Sequence, residues 1–196
     1  RLVVRDPDRA PHLPDAEVAV ASYGDAGAVE AALRGVEVAL MVSAGESATR
    51  AQDQATFVSA AAAAGVRQLV YTSFAAASPD AVFTLGRDHG ATEAAITASG
   101  LAFTFLRDNF YADALPLFAG ADRVARGPAS EGRCSFVVRD DVAQVAAAVL
   151  GQPDAHAGAT YTLTGPDSLT LTQAYAVLSE VTGQRFRFED ETLTQA

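Results

Sequence analysis

Along this chain, short apolar runs alternate with longer stretches in which small apolar residues recur every three or four positions. The clearest run is 66–73, Val-Arg-Gln-Leu-Val-Tyr-Thr-Ser. It is rich in β-branched residues and stops at two hydroxyl residues, which predicts a strand buried on both faces of a parallel sheet. An Ala-rich stretch, 48–64, precedes it and ends at Gly65, a residue type that stops helices. A second apolar run, 36–43, precedes that helix. The unit is therefore strand, helix, strand, and ligands of open α/β sheets sit at the carboxyl ends of such strands. Ser43, Thr72 and Ser73 fall there. They are expected to line a dinucleotide site, or else to be ordinary turn residues.

The same rhythm runs through the remainder. Residues 2–5 and 17–22 read as short strands, and Asp25 is placed to cap a helix that runs to Arg34 and stops at Gly35. A loop at 74–84 lacks periodicity. Residues 87–99 then read as a helix ending at Gly100, and 101–106 as a buried strand. Asn109 is expected to begin a helix to Phe118, 121–133 to be irregular, and 135–138 to be a short strand. Asp140 or Asp141 is expected to cap a helix over 142–150. A strand at 159–163, a helix capped by Thr170 or Thr172 and a strand at 185–189 follow, and another helix is expected to start near Ala196. This alternation predicts a doubly wound α/β fold forming one domain over 1–196, with no internal repeat.

Composition narrows the chemistry. The formal charge is −10, which argues against a nucleic-acid surface. No apolar run approaches a membrane span. The single cysteine, Cys134, excludes an internal disulfide, and a reducing cytoplasm is the default expectation. All 14 basic residues are Arg. Schiff bases, a phosphate-loop lysine and a Tyr-x-x-x-Lys pair are thereby ruled out. The three His, at 12, 89 and 156, have no metal-site spacing.

The ordered segments VVRDPDRA, YGD…VEAALRGVEVALMVSA, VRQLVYTSFA, DHGATEAAITASGLAFTFLRDNFYAD and RDDVAQVAAAVL resemble NmrA-like proteins, atypical short-chain dehydrogenase relatives. The similarity is greatest to their NAD(P)H:quinone oxidoreductase branch, with its LRN-x-[WF]-Y type strand end. The resemblance implies a Rossmann-like parallel sheet whose first strand, with its Gly-x-x-Gly-x-x-Gly loop and helix, is missing from these residues, and a C-terminal cap that is missing too. The absent strand would lie between 2–5 and 36–43. On that expectation the 196 residues alone bind dinucleotide poorly and are marginally stable.

The resemblance also implies roles. Arg5 follows the strand where NAD enzymes carry an acidic residue, so it would hold the 2′-phosphate of NADP(H), unless it merely pairs with Asp6 or Asp8. Arg9 is a second candidate. Tyr23 would lie near the adenine, with Ser22 where relatives carry Asp. Ala44 and Asn109 complete the expected cofactor set with Ser43, Thr72 and Ser73. His89 and Glu93 stand at the Tyr and Lys positions of Tyr-x-x-x-Lys. His89 is a candidate acid or ribose contact, or a plain helix residue, and Glu93 is expected to be solvated. Phe74, Phe110 and Tyr111 would contact a flat substrate, although Phe110 and Tyr111 also suit a core. Without the Tyr/Lys pair, a quinone is an easier hydride acceptor than a ketone. The implied function is NADPH-dependent reduction of a quinone-like acceptor. The alternative is an NADP-sensing regulator without catalysis, and phenylpropanoid-type reduction is disfavoured by the lack of Lys. The expected partners are that small molecule and, where the chain self-associates, a second copy; neither nucleic acid nor membrane is expected.

Overall fold

The computed structural model describes residues 1–195. In chain order its elements are β1 (Leu2–Val4), β2 (Val18–Val20), α1 (Ala26–Leu33), β3 (Val38–Met41), α2 (Arg50–Ala63), β4 (Gln68–Phe74), α3 (Thr84–Ala98) and β5 (Ala102–Asp108). Then come α4 (Leu115–Phe118), β6 (Val124–Gly127), β7 (Arg133–Cys134), α5 (Arg139–Gly151), β8 (Ala159–Leu163), β9 (Leu169–Thr170), α6 (Leu171–Thr182) and β10 (Arg187–Asp190). The helix start expected near Ala196 lies outside the described residues.

Local chemistry explains most boundaries. Asp25 accepts the Ala28 amide and starts α1, while Thr170 and Gln173 form a reciprocal capping box at α6. Gly65 and Gly183, at φ 84° and 66°, follow α2 and α6 in the left-handed region where a Cβ is costly.

The chain divides into two compact units: Arg1–Arg107 with Ala146–Tyr161, and Asp108–Val145 with the residues from Thr162 onward. In the first, β3, β4, β5 and β8 form a sheet in that order, and β3 pairs with β4 in parallel through Met41↔Tyr71. β1 and β2 form a separate parallel pair. The architecture is Rossmann-like, with β4 buried from Gln68 through Ser73, as its continuous apolar run predicts. Val29 and Leu33 of α1, Phe57, Val58 and Ala61 of α2 and Ile96 of α3 share one core with Met41, Leu69, Tyr71 and Phe105.

The second unit has its own core around Leu115, Ala125, Ala174 and Tyr175, joined by Phe136, Leu178, Phe186 and Phe188. β6 pairs with β10 in parallel and β7 with β9 in antiparallel fashion.

Five local expectations are corrected. Residues 121–133, expected to be irregular, hold β6 at Val124–Gly127, which finds β10 as its partner. α3 begins at Thr84, three residues before the expected start, because the preceding loop packs onto it. No helix starts at Asn109: its side-chain oxygen accepts the Phe110 amide, and helical turns begin only at Ala112. The strand expected at 135–138 is displaced to Arg133–Cys134, which finds β9 as partner, and Val137 makes a lone bridge to Tyr111. Asp140 and Asp141 lie inside the first turn of α5 rather than capping it; there their charge still suits the helix dipole.

Candidate functional site

In the first unit, the carboxyl end of β3 leads into a loop whose backbone is gripped by side chains from elsewhere. Tyr23 donates its hydroxyl to the Val42 carbonyl at 2.7 Å. The Ser43 amide donates to Thr72 Oγ1 at 2.8 Å, the Ala44 amide to Gln54 Oε1 at 3.2 Å, and Arg50 Nε to the Ala44 carbonyl at 2.8 Å. The anchors come from the turn after β2, from β4 and from α2.

Behind this loop lies a buried polar chain. Arg50 is 1% exposed, and its Nη2 donates to His89 Nε2 at 2.9 Å. A guanidinium can only donate, so Nε2 is the acceptor and the imidazole proton sits on Nδ1, directed at the Tyr71 hydroxyl 2.9 Å away. Tyr71 donates to Gln54 Oε1, and Gln54 Nε2 donates to Thr92 Oγ1 at 2.9 Å. Burial, then the Arg50 charge, lowers the His89 pKa to about 3, and burial raises that of Tyr71 to about 12. His89 is thus a neutral link in a core network, with its ring also against Phe74. An imidazolium acid at neutral pH is not what this environment provides.

Glu93 departs from its expected solvation. It is 8% exposed, accepts the Ser73 hydroxyl at 2.5 Å, and receives Arg107 Nε at 3.0 Å and Nη2 at 2.6 Å. The Lys position of the reductase motif therefore holds a buried carboxylate, balanced by an arginine from β5. Of the three strand-end hydroxyls, Ser73 is committed to Glu93. Thr72 accepts the Ser43 amide and has only Ser43 Oγ, at 3.5 Å, as its own acceptor. Both are buried, whereas Ser43 is half-buried and donates its hydroxyl proton to no described group.

At the rim, Arg5 is exposed and makes no hydrogen bond or ion pair among the described residues; Asp6 instead accepts the Asp8 amide. Burial pushes Tyr23 up to about 12, and the Arg5 charge acts against that rise, so Arg5 and Tyr23 share one neighbourhood. Arg9 is also exposed and enters no ion pair.

The segment after β4 is fixed to α3 by two glycines one turn apart. A Cβ on Gly86 would meet the Ala76 carbonyl at 2.9 Å, and one on Gly90 would meet the Ser78 carbonyl carbon at 2.7 Å. The Ser78 amide also donates to the Gly86 carbonyl.

The second unit holds Asn109, Phe110 and Tyr111. Asn109 Oδ1 accepts from the Phe110 amide and from Cys134 Sγ. Phe110 and Tyr111 line a cavity of about 450 Å³ together with Leu115, Phe136, Tyr175 and Phe188. Tyr111 donates its hydroxyl to Asp108 Oδ2 at 2.9 Å, while Oδ1 is buried without a partner. Burial raises the Asp108 pKa to about 6, against the effect of that hydrogen bond.

Sequence reasoning missed Arg50, Gln54 and Arg107. The first two had a signal. The buried positions of α2 are 50, 54, 57, 58, 60 and 61, so Arg50 and Gln54 begin its apolar stripe, where a polar side chain must have a buried partner.

The donor set suits a phosphorylated dinucleotide: a cation after β1 with no partner among the described residues and, after β3, a hydroxyl with a proton to give on a loop whose backbone is held by four side-chain hydrogen bonds. Among the described residues no His, Cys, Asp and Glu group is arranged to hold a metal, and no helix is long and apolar enough to cross a membrane.

Comparison with known proteins agrees. Residues 1–153 match the NAD(P)H-binding family. Quinone oxidoreductase 2 of Escherichia coli is 34% identical over 193 residues, covering 96% of this chain and 67% of that protein. The NAD(P)H azoreductase of Xenophilus azovorans is 31% identical, covering the whole of this chain and 70% of its own. The E. coli NADPH-dependent quinone oxidoreductase in complex with NADPH superposes with a TM-score of 0.84 at 33% identity, covering 97% of this chain and 68% of the other. The transcriptional regulator NmrA, at 17% identity over 89% of this chain and 60% of its own, has a TM-score of 0.70 and shares the fold. On the match over residues 1–153 and the likeness to quinone oxidoreductase 2, the chain belongs to the NAD(P)H-binding family.

Proposed function

We propose that this protein is an NADPH-dependent reductase that delivers hydride to a quinone-like acceptor. The observation that carries the cofactor half is Arg5. It follows β1 with no carboxylate on it, and it acts on Tyr23, whose hydroxyl fixes the residue before Ser43. An unpaired guanidinium there matches the 2′-phosphate that separates NADPH from NADH. The acceptor half is supported by the relatives named above, which reduce quinones and azo compounds by name.

NADPH, when bound, supplies the hydride. The chain's residues position and shield. Arg5 takes the 2′-phosphate charge, with Tyr23 beside it. Ser43 offers its hydroxyl proton, and the Ala44 peptide forms the adjoining rigid surface. Thr72 and Ser73 act one step back, Thr72 by holding the Ser43 amide and Ser73 by tying β4 to Glu93. Within the first unit Phe74 offers aromatic surface that suits a flat ring; within the second, Phe110 and Tyr111 do so from the cavity wall, with Asn109 next to them in the chain. His89 is a positioning residue in this reading, since its Nδ1 proton is held by Tyr71. Hydride addition makes a quinone into an aromatic phenolate, a weak base that water can protonate, so the reaction proceeds without the Tyr/Lys acid.

The test is steady-state NADPH oxidation with a benzoquinone, using the full-length protein. Turnover supports the reading. Tight NADPH binding with no turnover would favour a dinucleotide-sensing regulator. Arg5→Asp is expected to weaken NADPH far more than NADH, and equal losses would remove Arg5 from the 2′-phosphate.

A further inference from the structure

We infer that Arg50, with Gln54 beside it, is a positioning residue for the dinucleotide: it sets the Ala44 peptide in place before the ligand arrives. The inference rests on the reading of the β3 loop as part of the cofactor site.

The backbone of residues 42–44 makes four hydrogen bonds to side chains, and two of these fall on the single residue Ala44, one on its amide and one on its carbonyl. Alanine has no side chain that could recognise anything, so fixing its peptide matters only for backbone position. Gly45, next in line, has open space where a Cβ would stand, and nothing packs on it there. Apart from these two α2 side chains, the loop from Ala44 through Ala48 has no described side-chain anchor; the next one is the Thr49 hydroxyl on Asp53.

The cost of this arrangement is high. A guanidinium 1% exposed must be desolvated. Its one carboxylate, Asp88, lies 3.4 Å from Nη1 and is a third exposed. Its other partners are uncharged, the Ala44 carbonyl and the neutral His89. A methionine or leucine of similar volume would fill the same space without that penalty. The network does for the loop what packing cannot: an oriented donor at Nε, 2.8 Å from one carbonyl, held in direction by His89 behind it. His89 then has a defined task. Its Nε2 lone pair aims the guanidinium, and its Nδ1 proton locks Tyr71, which joins Gln54, the acceptor of the Ala44 amide. Both Ala44 hydrogen bonds thus belong to one closed circuit. A loop ordered beforehand loses less entropy on binding, and the difference appears as affinity.

The variant is Arg50→Lys, which keeps the charge but cannot reach the Ala44 carbonyl and His89 Nε2 together. The control is Thr104→Val, which removes the hydrogen bond that Thr104 Oγ1 accepts from Gln68 Nε2 and the one it donates to the His156 carbonyl, away from the loop. The full-length protein is titrated with NADPH by calorimetry well below its unfolding temperature. Amide exchange at residues 43–45 is followed without ligand.

Arg50→Lys is expected to raise the NADPH Kd by roughly tenfold, as an unordered loop would require, and to speed exchange at Ala44. Thr104→Val is expected to lower the unfolding temperature by a comparable amount and leave Kd and Ala44 exchange as in the parent. Equal Kd values for parent and Arg50→Lys overturn the inference. So does a rise in Kd shared by Thr104→Val, which would mark general destabilisation. If the parent itself binds no dinucleotide, the functional reading fails and the inference falls with it, whereas a parent that binds tightly and is indifferent to Arg50 sinks the inference alone.

Discussion

In the first unit, the interior behind the strand ends is polar and cross-linked: Arg50, His89, Tyr71, Gln54 and Thr92 pass hydrogen bonds in sequence, and Ser73, Glu93 and Arg107 form a second cluster. In the second unit, the interior is aromatic and hollow, with Phe110, Phe136, Tyr175 and Phe188 around a cavity of about 450 Å³. Among the described residues, each unit leaves one buried side-chain oxygen without a partner, Gln68 Oε1 in the first and Asp108 Oδ1 in the second. The contrast shows two ways to make a surface for a ligand. A hydrogen-bonded network fixes one shape at high desolvation cost and tolerates little change. An apolar hollow accepts a range of flat shapes and loses only contact area when altered.

The sharpest test is to break the polar side. Arg107→Met would leave the Glu93 carboxylate buried with only the Ser73 hydroxyl. A loss of about 3 kcal/mol in urea unfolding is expected, the usual cost of stranding a buried charge. A loss well under 1 kcal/mol would mean that the Arg107–Glu93 pair does not hold the cluster together.

The second test sets the two units against each other in pH. His89 is held near 3, below its ordinary 6.5. The unfolded chain therefore binds more protons between those values, and the His89 contribution is full above about 6.5 and lost as pH falls. Asp108 is held near 6, above its ordinary 3.8. The folded chain then binds more protons, so the Asp108 contribution is full below 3.8 and lost as pH rises through about 6. Subtracting the pH–stability curve of His89→Gln from that of the parent should give a difference that grows from pH 3 to 6.5. The same subtraction for Asp108→Asn should give one that shrinks over pH 4 to 6. Two slopes of the same sign would contradict the contrast.

Third, Ala125→Leu fills part of the cavity, which Ala125 lines from β6. A rise of roughly tenfold in KM for the acceptor is expected, with NADPH affinity unchanged, since added methylenes in a pocket act on that scale. An unchanged KM would remove the cavity from acceptor binding. The smallest effect is reserved for Arg67→Gln. Its partner Asp154 is largely exposed, and denaturant midpoints for this variant and the parent should coincide.

How far the sequence could be read follows the same divide. The order of strands and helices up to β5, the caps at Asp25 and Thr170 and the stop at Gly65 were legible because each depends on neighbours along the chain; β6, whose partner β10 lies at Arg187–Asp190, was not. The α2–α3 network was not. Arg50 pairs with His89 across 39 positions, and a charged residue looks solvated until its partner is found. Glu93 was misread for that reason, its arginine lying on the next strand. Phe110 and Tyr111 were read as either ligand contacts or core filler, and only a cavity wall distinguishes the two. The short β7 was misplaced because its pairing with β9 is set by residues far downstream.

Gly86 and Gly90 carry one further consequence. With no side chains there, backbone at 76–79 lies flush on the helix, and Ser78 is hydrogen-bonded to it. An alanine at either glycine would have to push the backbone at 76–79 off the helix, so the path of the chain after β4 is written into two missing methyl groups on α3.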